Sequence, residues 1–434
     1  MLLNSDMPTN FDLAVHLFIQ LAVILAVCRV SGFLFRYLGQ TQVVSEMIAG
    51  VLLGPSLFGL IAPSVQQFLF PLKLTISGTT TTIVHPSMTI LYALSQIGLV
   101  LYMFLIGLQF NTKHISEHFK YAGTISLSGV IPPMLIGGAL GVAVARNNDL
   151  FLNHIALWQA ALFLGSAMSI TAFPMLARII YENGIADTKI GTLAIGAAAF
   201  DDAAAWSLLA IVLATTKNSP AIALLAIGGG IAYALAMVFF GRRLFRRFFR
   251  VNPQDNSVPI ETFSVLLLVL MLCAWFTDAV GIYSIFGSFI AGTVMPRGRF
   301  AEESRGLLEY LTVSFLLPIF FVYSGLNTQI KLLLQPSVFG MAVFIVAIAF
   351  ISKGGGCFLA TRLGGASWRE AAVVGVLMNA RGLMELILIN IGLDKGLISP
   401  ALFTILVLMA TLTTVAASPL FNLLYGQKRK WLTD

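Results

Sequence analysis

Residues 401–425, ALFTILVLMATLTTVAASPLFNLLY, contain no charged side chain. About 20 apolar residues in a helix are enough to cross the hydrocarbon core of a bilayer. Such stretches recur along the whole chain. Reading for them gives thirteen candidate helices: 12–36, 42–61, 88–110, 119–145, 155–181, 189–215, 219–241, 259–279, 281–296, 306–327, 336–361, 370–392 and 399–425. Composition agrees, with 58% hydrophobic and 10% charged residues and a mean hydropathy of +0.90. Soluble domains carry about 25% charged residues, so the fold expected is an all-α polytopic membrane protein. A single membrane domain over residues 1–434 is expected, without a soluble domain. The opening MLLNSDMPTN has no basic region, so no cleaved leader is expected. Cys28, Cys273 and Cys357 lie scattered in apolar segments, which predicts neither a disulfide nor a metal cluster.

Lysine and arginine resist translocation and mark cytoplasmic loops. With the N-terminus outside, 18 of the 26 basic residues fall on one side and five on the other. The remaining three, Arg29, Lys353 and Arg381, lie within spans. This asymmetry predicts a cytoplasmic C-terminus. The cluster GRRLFRRFFR (241–250) reads first as a cytoplasmic stop, with an anionic-lipid or regulatory site as the sharper alternative. HISEH (114–118) places two histidines four apart, but in a charged loop, and is read as solvated. No GxGxxG unit, Walker A motif or HExxH motif occurs, and no cofactor is expected.

An ionised group at a helix centre costs roughly 2.5–3.5 kcal/mol on insertion scales, which makes each intramembrane charge a functional candidate. Six qualify: Glu46, Asp201, Asp202, Lys353, Arg381 and Glu385. Asp201 and Asp202 stand together in AAAFDDAAAW, about 100° apart around a helix, so they face different surroundings. One needs a buried cation, and Lys353 in AIAFISKGGGCFLA (347–360) is the best placed. Three glycines beside it permit close helix approach. A desolvated lysine can lose its proton, which arginine cannot. Two acids and a lysine form a coupled titrating group able to set protons against a small cation. A purely structural ion pair would leave the second aspartate unexplained.

Two segments read as interrupted helices. GSAMSITAFPMLAR (165–178) carries Ser166, Ser169, Thr171 and Pro174, and GVLMNARGLMELILIN (375–390) carries Asn379, Arg381, Gly382 and Glu385. Unwound backbone at membrane depth survives only where it is buried or lines a cavity. The aspartates follow the first break and Lys353 precedes the second. That mirrored order is expected of an inverted repeat with its site near the midplane. Arg381 and Glu385 can offset the partial charges at the half-helix ends.

With these residues in view, the chain resembles the monovalent cation:proton antiporters of the Kef/CHX-like branch. Six segments carry the likeness in order: VVSEMIAGVLLGPSLFG (43–59), LSQIGLVLYMFLIGLQF (94–110), SITAFPMLARI (169–179), FDDAAAW (200–206), LLPIFFVYSGL (316–326) and MNARGLMELILINIGL (378–393). The resemblance implies a thirteen-helix inverted-repeat fold with two broken crossing helices. It further implies a core subdomain, a dimerisation subdomain that makes a homodimer, and elevator-type alternating access. Asp202 matches the cation-binding aspartate and Asp201 the neighbour that pairs with the lysine at Lys353. Thr171 matches the unwound position beside the ion, with Ser169 and Asn379 as secondary candidates. Arg381 and Glu385 match the charges of the second broken helix, and Glu46 a structural position. Gln109 stands where many relatives have an acid, and no C-terminal nucleotide-binding domain is expected.

The function expected is exchange of Na⁺, or second K⁺, for protons across a membrane, electrogenic by the same resemblance. A cation channel or potassium efflux protein without obligatory proton coupling is the alternative. Membrane prenyltransferases need DxxxD-type repeats, and intramembrane aspartyl proteases need aspartates on separate helices; neither pattern is present, so no enzyme is expected.

Overall fold

The computed structural model describes residues 8–37, 40, 42–55, 57–75, 82–109, 119–147, 150–152, 155–185, 188–216, 220–249, 258–280, 284–296 and 298–425. The helices of ten residues or more are α1 (Asn10–Arg36), α2 (Gln42–Leu53), α3 (Pro86–Gln109), α4 (Phe119–Asn147), α5 (Leu157–Ser169), α6 (Phe173–Glu182), α7 (Lys189–Thr216), α8 (Pro220–Ala236), α9 (Ile260–Val280), α10 (Ser284–Val294), α11 (Arg299–Leu311), α12 (Leu317–Leu326), α13 (Pro336–Leu363), α14 (Trp368–Leu377), α15 (Leu383–Asp394) and α16 (Pro400–Tyr425).

Among the described residues each of the thirteen apolar segments overlaps helix, and eight helices are long and apolar enough to cross a membrane unaided. The fifth segment divides into α5 and α6, and the twelfth into α14 and α15. The second stops at Leu53, before Gly54 and Pro55, and resumes at Phe58–Ile61. The tenth begins earlier than its apolar run, at Arg299, and Arg305 and Glu309 pair along its exposed first half at 3.0 Å. Such exposed pairs contribute little stability. The all-α expectation misses a small antiparallel hairpin, Lys73–Thr75 with Thr82–Val84. HISEH lies outside the described residues.

The helices gather into two compact units, each discontinuous in sequence. The first comprises residues 1–31, 46–110 and 213–327. There α3 packs on α10 and α12. Backbones come so close that a Cβ on Gly50 would lie 2.9 Å from Val322 Cα. In a bilayer, where apolar helices gain nothing from leaving water, this small-residue contact is the main packing device. At one end of this unit α1 is fastened to the 62–87 segment: His16 Nε2 donates to Phe68 O at 2.8 Å and Gln20 Nε2 to Leu69 O at 2.6 Å. The second unit comprises residues 32–45, 111–212 and 328–434, with α4 packed on α5 and α13, and α14, α15 and α13 on α16. Every residue of the candidate site but one belongs to it.

Candidate functional site

A broken helix leaves its last carbonyls without intrahelical donors, and inside a membrane each must find another. At the end of α5 these partners come from two cations. Arg381 donates through Nη1 to Ala167 O at 2.8 Å and through Nη2 to Met168 O at 2.6 Å. Lys353 Nζ donates to Ser169 O. Pro174 removes the N–H that Ile170 O would otherwise accept, and Arg381 Nη1 stands 3.5 Å from that oxygen. Both cations therefore sit at the negative end of the half-helix dipole.

The second break is built to match. Ala172 N, in the first gap, donates to Ala380 O in the second at 3.0 Å, so the two unwound segments meet in hydrogen-bonded contact. Thr171 Oγ1 reaches across to Met378 O at 3.2 Å. Thr414 of α16 holds both faces of Arg381's backbone, accepting from its N–H at 2.9 Å and lying 2.8 Å from its O. Glu385 occupies the first turn of α15, the positive end of that half-helix, and pairs with Arg381 at 3.4 Å. Both side chains are fully buried.

Asp201 lies at the centre. Its carboxylate accepts from Ser126 Oγ at 2.5 Å, Thr171 Oγ1 at 2.6 Å and Lys353 Nζ at 2.9 Å. The Lys353–Asp201 pair is wholly buried. The third acceptor of Lys353 is Gly129 O at 3.2 Å. Pro133, inside α4, lacks the N–H that would pair with Gly129 O, so the helix leaves this carbonyl open for the lysine. Thus α4 with two groups, α5, α7 and α13 with one each, and Thr171 from the first gap build a single polar cluster in an apolar core.

The residues expected from sequence divide as follows. Asp201, Lys353, Thr171, Ser169, Arg381, Glu385 and Asn379 are brought together and buried. Thr171, expected beside the ion, gives its hydroxyl to Asp201. Ser169 contributes its carbonyl to Lys353, while its hydroxyl turns back to Gly165 O at 2.6 Å. Asn379 donates to Gly375 O at 3.0 Å, and its Oδ1 is buried without a hydrogen-bond partner. Asp202 is helical in α7, but its side chain lies outside the described residues, as does that of Gln109. Glu46 is buried in α2 and belongs to the first unit. Ser126 and Thr414 were not expected. Among the described residues no group of three or more His, Cys, Asp or Glu is placed to hold a metal ion.

Comparison with known proteins supplies a family and a shared fold. The family model described as sodium/hydrogen exchanger, transmembrane, matches residues 22–423. The Na⁺/H⁺ antiporter NhaS4 of Synechocystis sp. is 38% identical, covering 93% of this chain and 95% of its own. Cation/H⁺ antiporter 18 of Arabidopsis thaliana is 34% identical over 98% of this chain, and K⁺/H⁺ antiporter 1 of Saccharomyces cerevisiae 32% over 97%. The chain spans about half the length of these last two, 51% and 47%. The solved sodium proton antiporter MjNhaP1 of Methanocaldococcus jannaschii shares the fold, with a TM-score of 0.65 at 14% identity over 94% of this chain and 99% of that one. A family match over nearly the whole length, a shared fold and a lysine–aspartate pair at crossed helix breaks lead to one assignment: the chain belongs to the sodium/hydrogen exchanger family of membrane transporters.

Proposed function

We propose that this protein exchanges a monovalent cation, Na⁺ ahead of K⁺, for protons, and that Asp202 is where the two compete. The observation that carries this reading is the buried Lys353–Asp201 pair at the crossing of two broken helices. Asp201 is already engaged by three donors. Its neighbour on α7, turned about 100° away, is then the carboxylate left for a cation or a proton. Lys353 neutralises Asp201 in one protonation state and releases it in another, so proton and cation occupy the cluster by turns. Backbone oxygens at the breaks are the natural supplementary ligands for a hard cation. The name of the Synechocystis relative supports Na⁺.

Ser126, Thr171, Asp201 and Lys353 all belong to one unit, which favours elevator-type carriage of an intact site. Electrogenic exchange, a homodimer, thirteen crossings and a cytoplasmic C-terminus complete the proposal. Proteoliposomes loaded with a pH-sensitive dye test it. External Na⁺, and more weakly K⁺, should drive proton movement, and Asp202→Asn should abolish it. Absence of cation-driven proton flux, or flux through Asp202→Asn equal to wild type, would overturn the reading.

A further inference from the structure

The basic cluster after α8 is an ordered helix rather than a loop. Three helical pieces of 17, five and seven residues, Pro220–Ala236, a π-helical turn Met237–Gly241 and Arg242–Phe248, run on without a break. That is about 43 Å at 1.5 Å per residue, against about 30 Å of hydrocarbon. Residues 220–241 carry no charge, so a span starting at Pro220 uses up the hydrocarbon near Phe239. Arg242 to Phe248 then lie at headgroup depth.

The rotation of this last piece is fixed. Phe245 and Phe249 are buried, their rings 5.1 Å apart, and Phe249 stacks on Phe300 at 5.2 Å. With those two rings anchored, Arg242, Arg243, Arg246 and Arg247 fan over an adjoining arc of about 140°. All four are exposed. Among the described residues none of them makes an ion pair or a side-chain hydrogen bond. Leu244 and Phe248, beside that arc, are also exposed, and so are Phe239 and Phe240 one turn earlier. The segment thus has three sectors: aromatic anchors in the protein, apolar side chains outward, and unpaired guanidinium groups between.

We propose that this surface binds the phosphate headgroups of anionic phospholipids. A purely topogenic cluster needs only charge, in any rotation and with any local carboxylate. Here the charge is held at one depth, on one arc and unpaired, and guanidinium groups suit phosphate oxygens in forked, bidentate geometry. The exposed apolar side chains decide between a lipid and a soluble acidic partner, because they continue the bilayer-facing surface of the same helix.

The test uses the full chain in nanodiscs of phosphatidylcholine alone or mixed with phosphatidylglycerol, reading thermal unfolding and the lipid retained in native mass spectrometry. Wild type should retain phosphatidylglycerol selectively and melt higher in the mixed discs. Changing Arg242, Arg243, Arg246 and Arg247 together to glutamine should remove both effects, with a loss of about five-fold in affinity for each arginine. Arg305→Gln, which removes a charge already paired with Glu309, should change neither. The four-fold Arg→Lys variant keeps the charges that direct insertion and should lose part of the selectivity. No headgroup preference in wild type, or a preference that survives in the glutamine variant, overturns the proposal. So does equal retention by the lysine variant where the glutamine variant fails to insert. Binding of an acidic soluble protein without phosphatidylglycerol preference would do the same.

Discussion

Lys353 is held by three oxygens, one charged and two from the backbone, with no solvent in reach of its side chain. Removing one partner of such a pair leaves an uncompensated buried charge, which costs about 3–5 kcal/mol, whereas replacing both is often close to neutral. Asp201→Asn alone should therefore destabilise the protein strongly. Adding Lys353→Met should restore most of the loss, while transport stays absent in both. Denaturant or thermal unfolding in detergent measures this, and simple additivity of the two changes would contradict the pairing. Ser126→Ala, which removes a donor from a buried carboxylate, should cost roughly 1.5–3 kcal/mol. The Asp201–Lys353 pair was legible because the chain offers so few buried charges to match. Ser126 was not legible, since nothing in TISLSG separates it from Ser128. The signal nearest to it was Pro132-Pro133, which marks the carbonyls α4 cannot satisfy, and so the level at which a cation from another helix docks.

Helix α13 carries three consecutive glycines whose surroundings differ completely. A Cβ on Gly356 would collide with Ser128 O of α4, and one on Gly354 would lie 3.2 Å from Gly375 O of α14 and strike the Asn379 amide. A Cβ on Gly355 would meet nothing within 4 Å. Read as sequence, KGGGC promises only close approach; which glycine meets which helix depends on rotation set by the partners. Gly356→Ala should force α13 from α4, displace Lys353 from Gly129 O and abolish exchange. Gly355→Ala should be silent in transport and stabilise by up to about 1 kcal/mol through helix propensity. Unfolding and flux measurements on the two variants separate them, and equal effects would mean that α13 is rotated from the arrangement described. The same contrast separates the two helix breaks. Pro174 announces the first in the sequence. The second contains no proline and rests on Gly382, where a Cβ would meet Met175 Cγ at 3.0 Å, and on the Thr414 clamp, a contact 33 residues away.

At the scale of the whole chain, apolar length located the helices, but it could not say which of them gather into which unit. Each unit takes pieces from three separate parts of the sequence, and those pairings are chosen by small-residue contacts and buried polar partners rather than by hydropathy. Sidedness is the global property that charge does encode. The excess of lysine and arginine on one set of loops predicts Lys331 outside and Gly306 inside. The three native cysteines are free and buried, so an introduced cysteine is the group a thiol reagent meets first. Lys331 is exposed in the short helix Ile330–Leu334, and Gly306 is exposed on α11 with open space around its Cα. A membrane-impermeant maleimide on intact expressing cells should label Lys331→Cys and spare Gly306→Cys, and permeabilised cells should label both. The opposite pattern would invert the orientation. It would also place the arginine arc after α8 against the other leaflet.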